Sequence, residues 1–595
     1  MISRLRIAVT GLLVLGCFEP CQATKIARDG QAEAVIVVAE GASEPVRHAA
    51  TELARFLKQI TGADFEIVSS IDTAKHRILV GPEAVRMIRP GFSTKGLGRE
   101  GIVIRSLGKD LILAGGEPRG TLYAVYTFLE DHCGCRWWSS TASTIPSKPT
   151  LNASKLRIRY VPPLEYRSPF WFDAFDGDWA ARNKCNGQSH RLGPEHGGRH
   201  IYEGHVHTFY RLIPPARYFE DHPEWFSMID GRRTHDRTQL CLTNEEMRTE
   251  LVRNLKTNLR NNPAATIASV SQNDWHGNCQ CPKCAAIESE EGSPAGLMLR
   301  FVNSVAKEIE QEFPDLAIST LAYQYTRRPP KITKPRDNVI VRLCSIECSF
   351  SAPLAHERNK AFRDDIVGWS KICDRVYIWD YTTNFRHHIM PHPNLRVLGP
   401  NVRFFVDHNA KGIFEQGAYT TNGAEMAELR AWVLAKLLWD PTRDGQQLID
   451  EFVQGYYGPA APHIKAYIQT MHEAVEQSED WLGCFSGHKA RFLSFETLSK
   501  GWRQLQAAGI AVKNHPQYEL EVKVAQLPIM YTFMIRWDEM RRAAKQANAD
   551  WPLDESIEKV FEDFMAVARR KNITRLNEHK PGFDILADAV KRASK

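Results

Sequence analysis

The chain has 595 residues, 43% of them hydrophobic and 25% charged, and a formal net charge of +6. This length exceeds what one hydrophobic core supports, so we expect two or three globular domains. The near balance of charge and the lack of a basic stripe exclude a surface built to bind nucleic acid.

The first 23 residues have the pattern of a secretory signal peptide. Arg4 and Arg6 supply the positive charge, residues 7–15 are apolar but too few to span a bilayer, and residues 21–23 resemble a cleavage site. We therefore expect an exported protein, periplasmic or extracellular, with no membrane span. Cys17 lies in a weak lipobox pattern and leaves lipid anchoring as the alternative.

Residues 30–150 alternate between strand and helix patterns and predict a small α/β domain. An amphipathic helix is expected over residues 44–61, ended by Gly62. A second helix follows the glycine-rich turn at residues 115–120. The predicted strands are residues 34–39, 65–68, 76–80, 101–105 and 110–114.

Residues 160–440 alternate between apolar strand-like runs and helical stretches, which is typical of parallel βαβ units. We predict an α/β fold: a (β/α)8 TIM-type barrel, preceded by the small domain and followed by a helical region over residues 441–595. The eight predicted strands are residues 164–171, a short one near His205, 239–243, 266–274, 317–323, 339–347, 376–380 and 412–416.

Four of these predicted strands end in a carboxylate: Asp274, Glu347, Asp380 and Glu415. Catalytic groups of β/α barrels lie at the carboxyl ends of the strands, and glycoside hydrolysis uses a pair of carboxylates there. We predict Glu347 as the general acid/base. Asp274 is predicted to orient an acetamido group or stabilise the charged transition state, although the two roles could be exchanged. Asp380 and Glu415 are the next candidates.

Polar and aromatic side chains near the same strand ends are typical of a sugar-binding cleft. His205 and His207 are spaced to share one side of a strand, but with no third ligand nearby we predict that they form hydrogen bonds. We expect no metal ligand and no cofactor at the site. The predicted substrate-binding residues are Arg182, Asn183, His205, His207, Asn273, Trp275, Tyr323, Trp379 and Tyr381.

Cys279, Cys281 and Cys284 are spaced like three zinc ligands. Two paired CxxC motifs would be the stronger signal for zinc, and only one is present here. The sequence leaves a disulfide, a metal site and free thiols open.

Several motifs together resemble glycoside hydrolase family 163 and the bacterial family of unknown function from which it was drawn. They are residues 222–226 (HPEWF), 239–244 (QLCLTN), 271–274 (SQND), 279–284 (CQCPKC), 346–348 (IEC), 379–381 (WDY), 414–417 (FEQG) and 438–441 (LWDP). The resemblance implies an endo-β-N-acetylglucosaminidase that releases complex N-glycans from glycoproteins with retention.

Residues 119–126 (RGTLYAVY) and 134–138 (GCRWW) resemble the amino-terminal α/β domain of bacterial α-glucuronidases and family 20 hexosaminidases. That domain lies beside the catalytic barrel in those enzymes and does not perform the chemistry.

Two other functions remain open. An exo-acting, α-glucuronidase-like enzyme or other polysaccharide hydrolase would need basic side chains in the pocket. Arg167 and Arg182 could supply them, so this function stays open. A non-catalytic glycan-binding protein would keep the aromatic residues and tolerate loss of the carboxylates. In each case the expected partner is a glycan or glycoprotein, and the sequence leaves the oligomeric state open.

Overall fold

A computed structural model describes residues 24–73 and 75–593. The chain forms two compact units, one made of residues 24–135 with 145–161 and the other of residues 136–144 with 162–593. The predicted signal peptide lies outside the described residues.

The strands in chain order are β1 (Thr24–Arg28), β2 (Gln31–Ala32), β3 (Ala34–Val38), β4 (Ile67–Val68), β5 (His76–Val80), β6 (Ile102–Leu107), β7 (Asp110–Gly115), β8 (Arg136–Trp137), β9 (Ser143–Thr144), β10 (Leu151–Ala153), β11 (Arg157–Tyr160), β12 (Tyr166–Phe170), β13 (Tyr202–Glu203), β14 (Met228–Ile229), β15 (Arg232–Arg233), β16 (Ile267–Ser269), β17 (Ala317–Ala322), β18 (Val339–Cys344), β19 (Val376–Tyr381) and β20 (Ala410–Gln416).

The α-helices are α1 (Glu44–Thr61), α2 (Pro82–Arg86), α3 (Gly120–Thr127), α4 (Gly177–Arg182), α5 (Phe209–Leu212), α6 (Pro215–Tyr218), α7 (Glu245–Asn261), α8 (Pro282–Glu291), α9 (Pro294–Glu310), α10 (Lys360–Ser370), α11 (Leu395–Asp407), α12 (Ala427–Trp439), α13 (Gly445–Tyr457), α14 (Ala461–Ser478), α15 (Phe495–Ala511), α16 (Pro516–Ile535), α17 (Trp537–Gln546), α18 (Ile557–Arg570) and α19 (Phe583–Ala593).

The first unit contains a six-stranded sheet in the order β11-β6-β7-β5-β3-β4 and a three-stranded sheet in the order β10-β1-β2. The predicted helix over residues 44–61 is confirmed as α1. Its buried stripe includes Leu53, Phe56, Leu57 and Ile60, and Gly62 ends it in the left-handed conformation at φ 81°.

The second unit is built around a seven-stranded sheet in the order β12-β20-β19-β18-β17-β16-β13, with every neighbouring pair parallel. Strands β17 and β18 are buried along their whole length, as expected for parallel strands covered on both faces. The long amphipathic helices α7, α9 and α10 lie between consecutive strands in the chain.

The predicted strand at residues 239–243 is wrong. In the described part of the chain, β13 pairs directly with β16, and the segment makes one isolated antiparallel bridge, between Phe226 and Leu240. The physical reason is that the Gln239 backbone N–H donates to the Gly277 carbonyl, in the loop after β16, and not to a neighbouring strand. The sheet therefore has seven strands where eight were expected.

The sheet curls so that its two edge strands approach each other. The rings of Tyr166 on β12 and Tyr202 on β13 lie 6.3 Å apart. Arg342 projects from β18 into the space between them and is completely buried, with its guanidinium 5.8 Å and 5.2 Å from those two rings. These aromatic side chains fill the concave face of the sheet below its carboxyl edge.

After β20 the chain is helical, from α12 to α19, as the sequence predicted. No helix among residues 24–73 and 75–593 is both long and apolar enough to cross a membrane.

The close approach of Trp171 to the backbone after β20 predicts a steric cost at Gly417. A methyl group there would lie 2.0 Å from the Trp171 ring, whereas one at Gly483 would meet its nearest atom at an ordinary 3.7 Å. We expect Gly417→Ala to lower the free energy of unfolding by about 1–3 kcal/mol. The control, Gly483→Ala, should change it by less than about 0.5 kcal/mol. Urea titration of both variants measures this, and equal stabilities would contradict the packing described.

Candidate functional site

A cavity of about 250 Å³ lies at the carboxyl edge of the curled sheet. Tyr381 and Gln416, the last residues of β19 and β20, line it, together with Tyr323 directly after β17. The sequence-predicted residues that it brings together are His207, Asp274, Tyr323, Trp379 and Tyr381.

Asp274 lies in the loop after β16, which ends at Ser269, so the carboxylate stands beyond the strand. Tyr323 Oη donates a hydrogen bond of 3.1 Å to Asp274 Oδ1 and accepts one of 2.8 Å from Gln324 Nε2. Burial first, and then the Asp274 charge, raises the pKa of Tyr323, so the phenol stays a proton donor. The Asp274 side chain is 60% exposed, which leaves its other oxygen open to a ligand.

His207 lies near the same carboxylate oxygen, with its ring 6.1 Å from that of Tyr323. Its Nε2 lies 3.9 Å from Asp274 Oδ1, and its Nδ1 lies 2.8 Å from the Gln272 carbonyl oxygen. Because a carbonyl only accepts, Nδ1 carries the proton and the ring orientation is fixed. The backbone of His207 is left-handed, at φ 55°, an uncommon conformation for a residue other than glycine.

A second hydrogen-bonded group of cavity residues surrounds Glu578. Trp379 Nε1 donates a hydrogen bond of 2.8 Å to Gln416 Oε1. The Gln416 amide Nε2 in turn donates one of 3.3 Å to Glu578 Oε1. Tyr419 Oη donates a hydrogen bond of 3.1 Å to the same carboxylate oxygen. Burial and the Glu578 charge raise the pKa of Tyr419 to about 12. Glu578 is therefore a second cavity carboxylate, supplied by the helical region at the end of the chain.

Glu347 lines an adjacent cavity of about 520 Å³, which shares Ile346 and Phe485 with the first. Its carboxylate, with a side chain 45% exposed, accepts a 2.8 Å hydrogen bond from Arg327 Nη1. Arg327 is held in turn by Asp365, at 2.7 Å. Like Asp274, Glu347 lies past the end of its strand, because β18 stops at Cys344.

Glu347 and Asp274 both influence one buried group, the Cys344 thiol. Burial is the main cause of the raised pKa of this thiol, and the charges of Glu347 and Asp274 raise it further, against the opposing effect of Arg342. Cys344 lines the first cavity. The two predicted catalytic carboxylates thus belong to one electrostatic neighbourhood.

The structure places Asp380 and Glu415 away from the cavity, contrary to the prediction that they line the site. Both lie inside strands, paired in register on β19 and β20, and both are almost completely buried. Their strand neighbours Trp379, Tyr381 and Gln416 line the cavity, so the period-two alternation of a strand turns the two carboxylates to the opposite face.

Burial raises the pKa of Asp380 to about 6, although the Ser345 hydroxyl and the Tyr381 backbone N–H donate to it and oppose the shift. Burial and the nearby Asp380 raise the pKa of Glu415 well above its ordinary value. No described residue donates a hydrogen bond to either Glu415 oxygen. This pair is a buried acidic contact and not a set of ligand-facing groups.

Arg182 and Asn183, two predicted substrate-binding residues, have structural partners and do not line either cavity. Arg182 pairs with Asp178 at 2.7 Å, and the buried Asn183 amide donates to the carbonyls of Trp137 and Trp179.

Three more predicted residues support the site from outside the cavities. Asn273 is buried and donates to the Thr238 carbonyl, and Trp275 is 41% exposed beside Tyr210. His205 lies under the cavity against Arg342, where burial and the Arg342 charge hold its pKa well below the ordinary value.

The sequence reasoning missed Gln416, Tyr419 and Glu578. Gln416 directly follows the predicted Glu415 in β20. Because side chains alternate between the two faces of a strand, Gln416 points to the cavity and Glu415 points away from it. Glu578 has no local signal, because the chain brings it to the cavity from more than 150 residues beyond β20.

The sequence matches the family model described as "Domain of unknown function (DUF4838)" over residues 137–469. A second model, "Glycosyl hydrolase family 67 N-terminus", matches residues 18–128, in agreement with the resemblance of the first domain to glycoside hydrolases. Comparison with curated protein sequences gives no match.

Among solved structures, the chain is similar to a family GH115 4-O-methyl-α-glucuronidase with specificity for decorated arabinogalactans, at 11% identity and a TM-score of 0.58, covering 91% of this chain and 76% of that one. A GH138 enzyme targeting pectin rhamnogalacturonan II aligns at 10% identity and a TM-score of 0.47, covering 94% and 98%. An N-acetyl-β-hexosaminidase of Streptomyces plicatus aligns at 12% identity and a TM-score of 0.43, covering 72% of this chain and 90% of that one. The first likeness shows a shared fold and no more.

The buried Asp380 predicts a specific dependence of stability on pH. Its folded pKa of about 6 exceeds the unfolded value of about 3.9, so the folded chain binds more protons between these limits. The contribution of Asp380 to stability must therefore fall as pH rises through this window. Asp380→Asn removes that penalty, so the variant's free energy of unfolding relative to wild type should rise by up to about 3 kcal/mol from about pH 4 to pH 7. Chemical denaturation at both pH values measures this, and a constant difference would show that Asp380 ionises freely in the folded protein.

Proposed function

The chain belongs to the family described as domain of unknown function DUF4838, and from the geometry of its site we propose that it hydrolyses glycosidic bonds in glycans. The observation that carries the proposal is the pair of accessible carboxylates, Asp274 and Glu347, in adjoining cavities at the carboxyl edge of the sheet. Glycoside hydrolysis needs one carboxyl group to protonate the leaving oxygen and another to stabilise the positive charge that develops on the sugar.

The walls of the two cavities suit a carbohydrate. Aromatic side chains form a large part of them, and each Tyr or Trp offers a flat apolar face with a hydrogen-bonding tip. Tyr323 and Trp379 already use their tips to hold Asp274 and Gln416. Phe485 is 43% exposed and lines both cavities, so a sugar chain crossing from one to the other would pass over its ring.

The role assigned to Asp274 follows from its partners. The Tyr323 hydroxyl and the His207 ring fix one carboxylate oxygen and leave the carboxylate free to accept a substrate N–H or to face a positive sugar ring. In a substrate-assisted reaction, Asp274 would polarise the N–H of an acetamido group, whose own oxygen attacks the anomeric carbon.

Glu347 is proposed as the general acid/base. Because Arg327 donates to its carboxylate, Glu347 must exchange this contact for a proton before it can act as the acid. Asp365 offers Arg327 a second carboxylate and can retain it when Glu347 turns to the substrate.

The lining residues favour neutral or N-acetylated sugars over uronic acids. Among the described residues that line the two cavities there is no Arg or Lys, whereas Asp274, Glu347 and Glu578 are acidic. A uronic acid carboxylate would meet these like charges without an Arg or Lys in the lining to pair with it. Arg167 and Arg182, which left an α-glucuronidase-like activity open, lie elsewhere with backbone or Asp178 partners.

The finer activity is part of the same proposal. The resemblance to glycoside hydrolase family 163 supports an endo-β-N-acetylglucosaminidase that retains configuration on N-glycans, and the exposed side chains of Asp274 and Glu347 suit attack within a chain. The signal-peptide pattern supports export. The approach of β12 to β13 supports a β/α barrel-like arrangement of the seven parallel strands, in which β13 pairs directly with β16.

Substitution of the two carboxylates tests the mechanism. Asp274→Asn and Glu347→Gln should each lower kcat on a glycoprotein substrate by about 10²–10⁴-fold, since each removes a proton donor or a charge from the transition state. The matched control is Glu415→Gln, the same chemical change at a buried carboxylate on the opposite face of the sheet, which should stay within about tenfold of wild type. Near-wild-type kcat for folded Glu347→Gln, or a large loss in the control alone, would contradict the assignment.

A further inference from the structure

Four cysteine thiols of the second unit form a cluster that lies outside the two cavities. Cys279, Cys281 and Cys284, whose spacing resembles that of zinc ligands, are joined by Cys241 from an earlier loop. Their sulfur atoms all lie within 4.8 Å of one another, and all four side chains are buried. We refer to these residues as the four-cysteine cluster.

The sulfur–sulfur distances match those of a tetrahedral metal site. Cys241 Sγ lies 3.7 Å from Cys281 Sγ and 3.9 Å from Cys284 Sγ. A tetrahedron with metal–sulfur bonds of about 2.3 Å has sulfur–sulfur edges of about 3.8 Å. A disulfide would bring two sulfurs to about 2.05 Å, and all four residues are free cysteines.

Groups around the cluster are placed to stabilise thiolates. The Met228 backbone N–H donates to Cys279 Sγ at 3.3 Å, and Arg233 Nη1 lies 3.6 Å from the same sulfur. The Thr243 hydroxyl lies 3.3 Å from Cys284 Sγ. Donors of this kind orient and stabilise the ligands of metal centres, and the Arg233 charge offsets the negative charge of a four-thiolate site.

We propose that Cys241, Cys279, Cys281 and Cys284 bind one zinc ion as a structural site. Four thiolates in a tetrahedron select zinc or iron, and a site with four protein ligands leaves no open position for chemistry. Each thiol releases its proton to solvent as it binds the ion. The sequence left a disulfide, a metal site and free thiols open for Cys279, Cys281 and Cys284. It did not indicate the fourth ligand, Cys241, which stands alone in the sequence and is brought to the others only by the fold.

The zinc site would also hold the loop that carries Asp274. Gln239, two residues before Cys241, accepts from the Asn273 backbone N–H at 2.8 Å and donates to the carbonyls of Asn273 and Trp275. Cys279 closes the same loop five residues after Asp274. Through Cys241 and Cys279, the ion would join the segment that carries Gln239 to the loop that carries Asp274. The zinc site itself does not depend on the proposed glycan hydrolysis.

Metal analysis of the full chain, purified without chelator, tests the proposal directly. We expect one zinc ion per chain by inductively coupled plasma mass spectrometry, and tetrahedral thiolate–cobalt absorption after exchange with Co²⁺. The Cys241→Ser variant should lose most of the bound zinc. The matched control, Cys373→Ser, changes another buried free cysteine that lies outside the cluster. This variant should keep the zinc. Removing zinc with a chelator should increase hydrogen exchange over residues 273–284 and leave that of α15 unchanged.

Three results would overturn the proposal. The first is wild-type protein without stoichiometric metal, whether its peptides show disulfides within the cluster or four thiols that alkylate without a chelator. The second is full zinc retention in Cys241→Ser. The third is iron in place of zinc, which would keep the four ligands but refute the ion assigned here.

Discussion

The site depends on the alternation of side chains along the curled parallel strands. Within β19 and β20, Trp379, Tyr381 and Gln416 point to the cavity, so Asp380 and Glu415 must point to the other face. The carboxylates that line the two cavities come from chain that has left a strand: Asp274 and Glu347 from loops, and Glu578 from the carboxyl-terminal region. Catalytic groups of such a sheet are therefore free to vary in the loops without disturbing the packing of the strands.

The concave face below the cavity is filled by a cation among aromatic rings. Arg342 is completely buried, donates to His205 Nε2 at 2.8 Å, and lies within 6 Å of the rings of Tyr166, Tyr202, Trp379 and Phe414. An arginine keeps its charge in such surroundings and is stabilised by the ring faces. Because Trp379 belongs both to this layer and to the cavity wall, the packing of the interior fixes the floor of the proposed sugar site.

Much of the fold could be predicted because apolar periodicity reports burial. Six of the eight predicted sheet strands overlap observed ones, although β16 (Ile267–Ser269) covers only a third of the strand predicted over residues 266–274. The short strand near His205 was only approximate, and residues 239–243 failed because Gln239 bonds to the Asp274 loop. Site prediction was limited at the strand ends. Asp380 and Glu415 each lie one residue before the end of their strand, and this single residue decides which face of the sheet the carboxylate occupies. Long-range contacts such as those of Glu578 and Cys241 leave no local pattern, so only the folded chain reveals them.

The central claim is that two carboxylates, in adjoining cavities whose described lining residues include no Arg or Lys, act on neutral or N-acetylated glycans. Its most direct test is incubation of the protein with a complex-type N-glycoprotein and with plant and algal polysaccharides that contain uronic acids, followed by mass spectrometry of the released sugars. The account predicts release of an N-glycan that lacks one reducing-end N-acetylglucosamine. Release of a uronic acid, with the glycoprotein left intact, would contradict it.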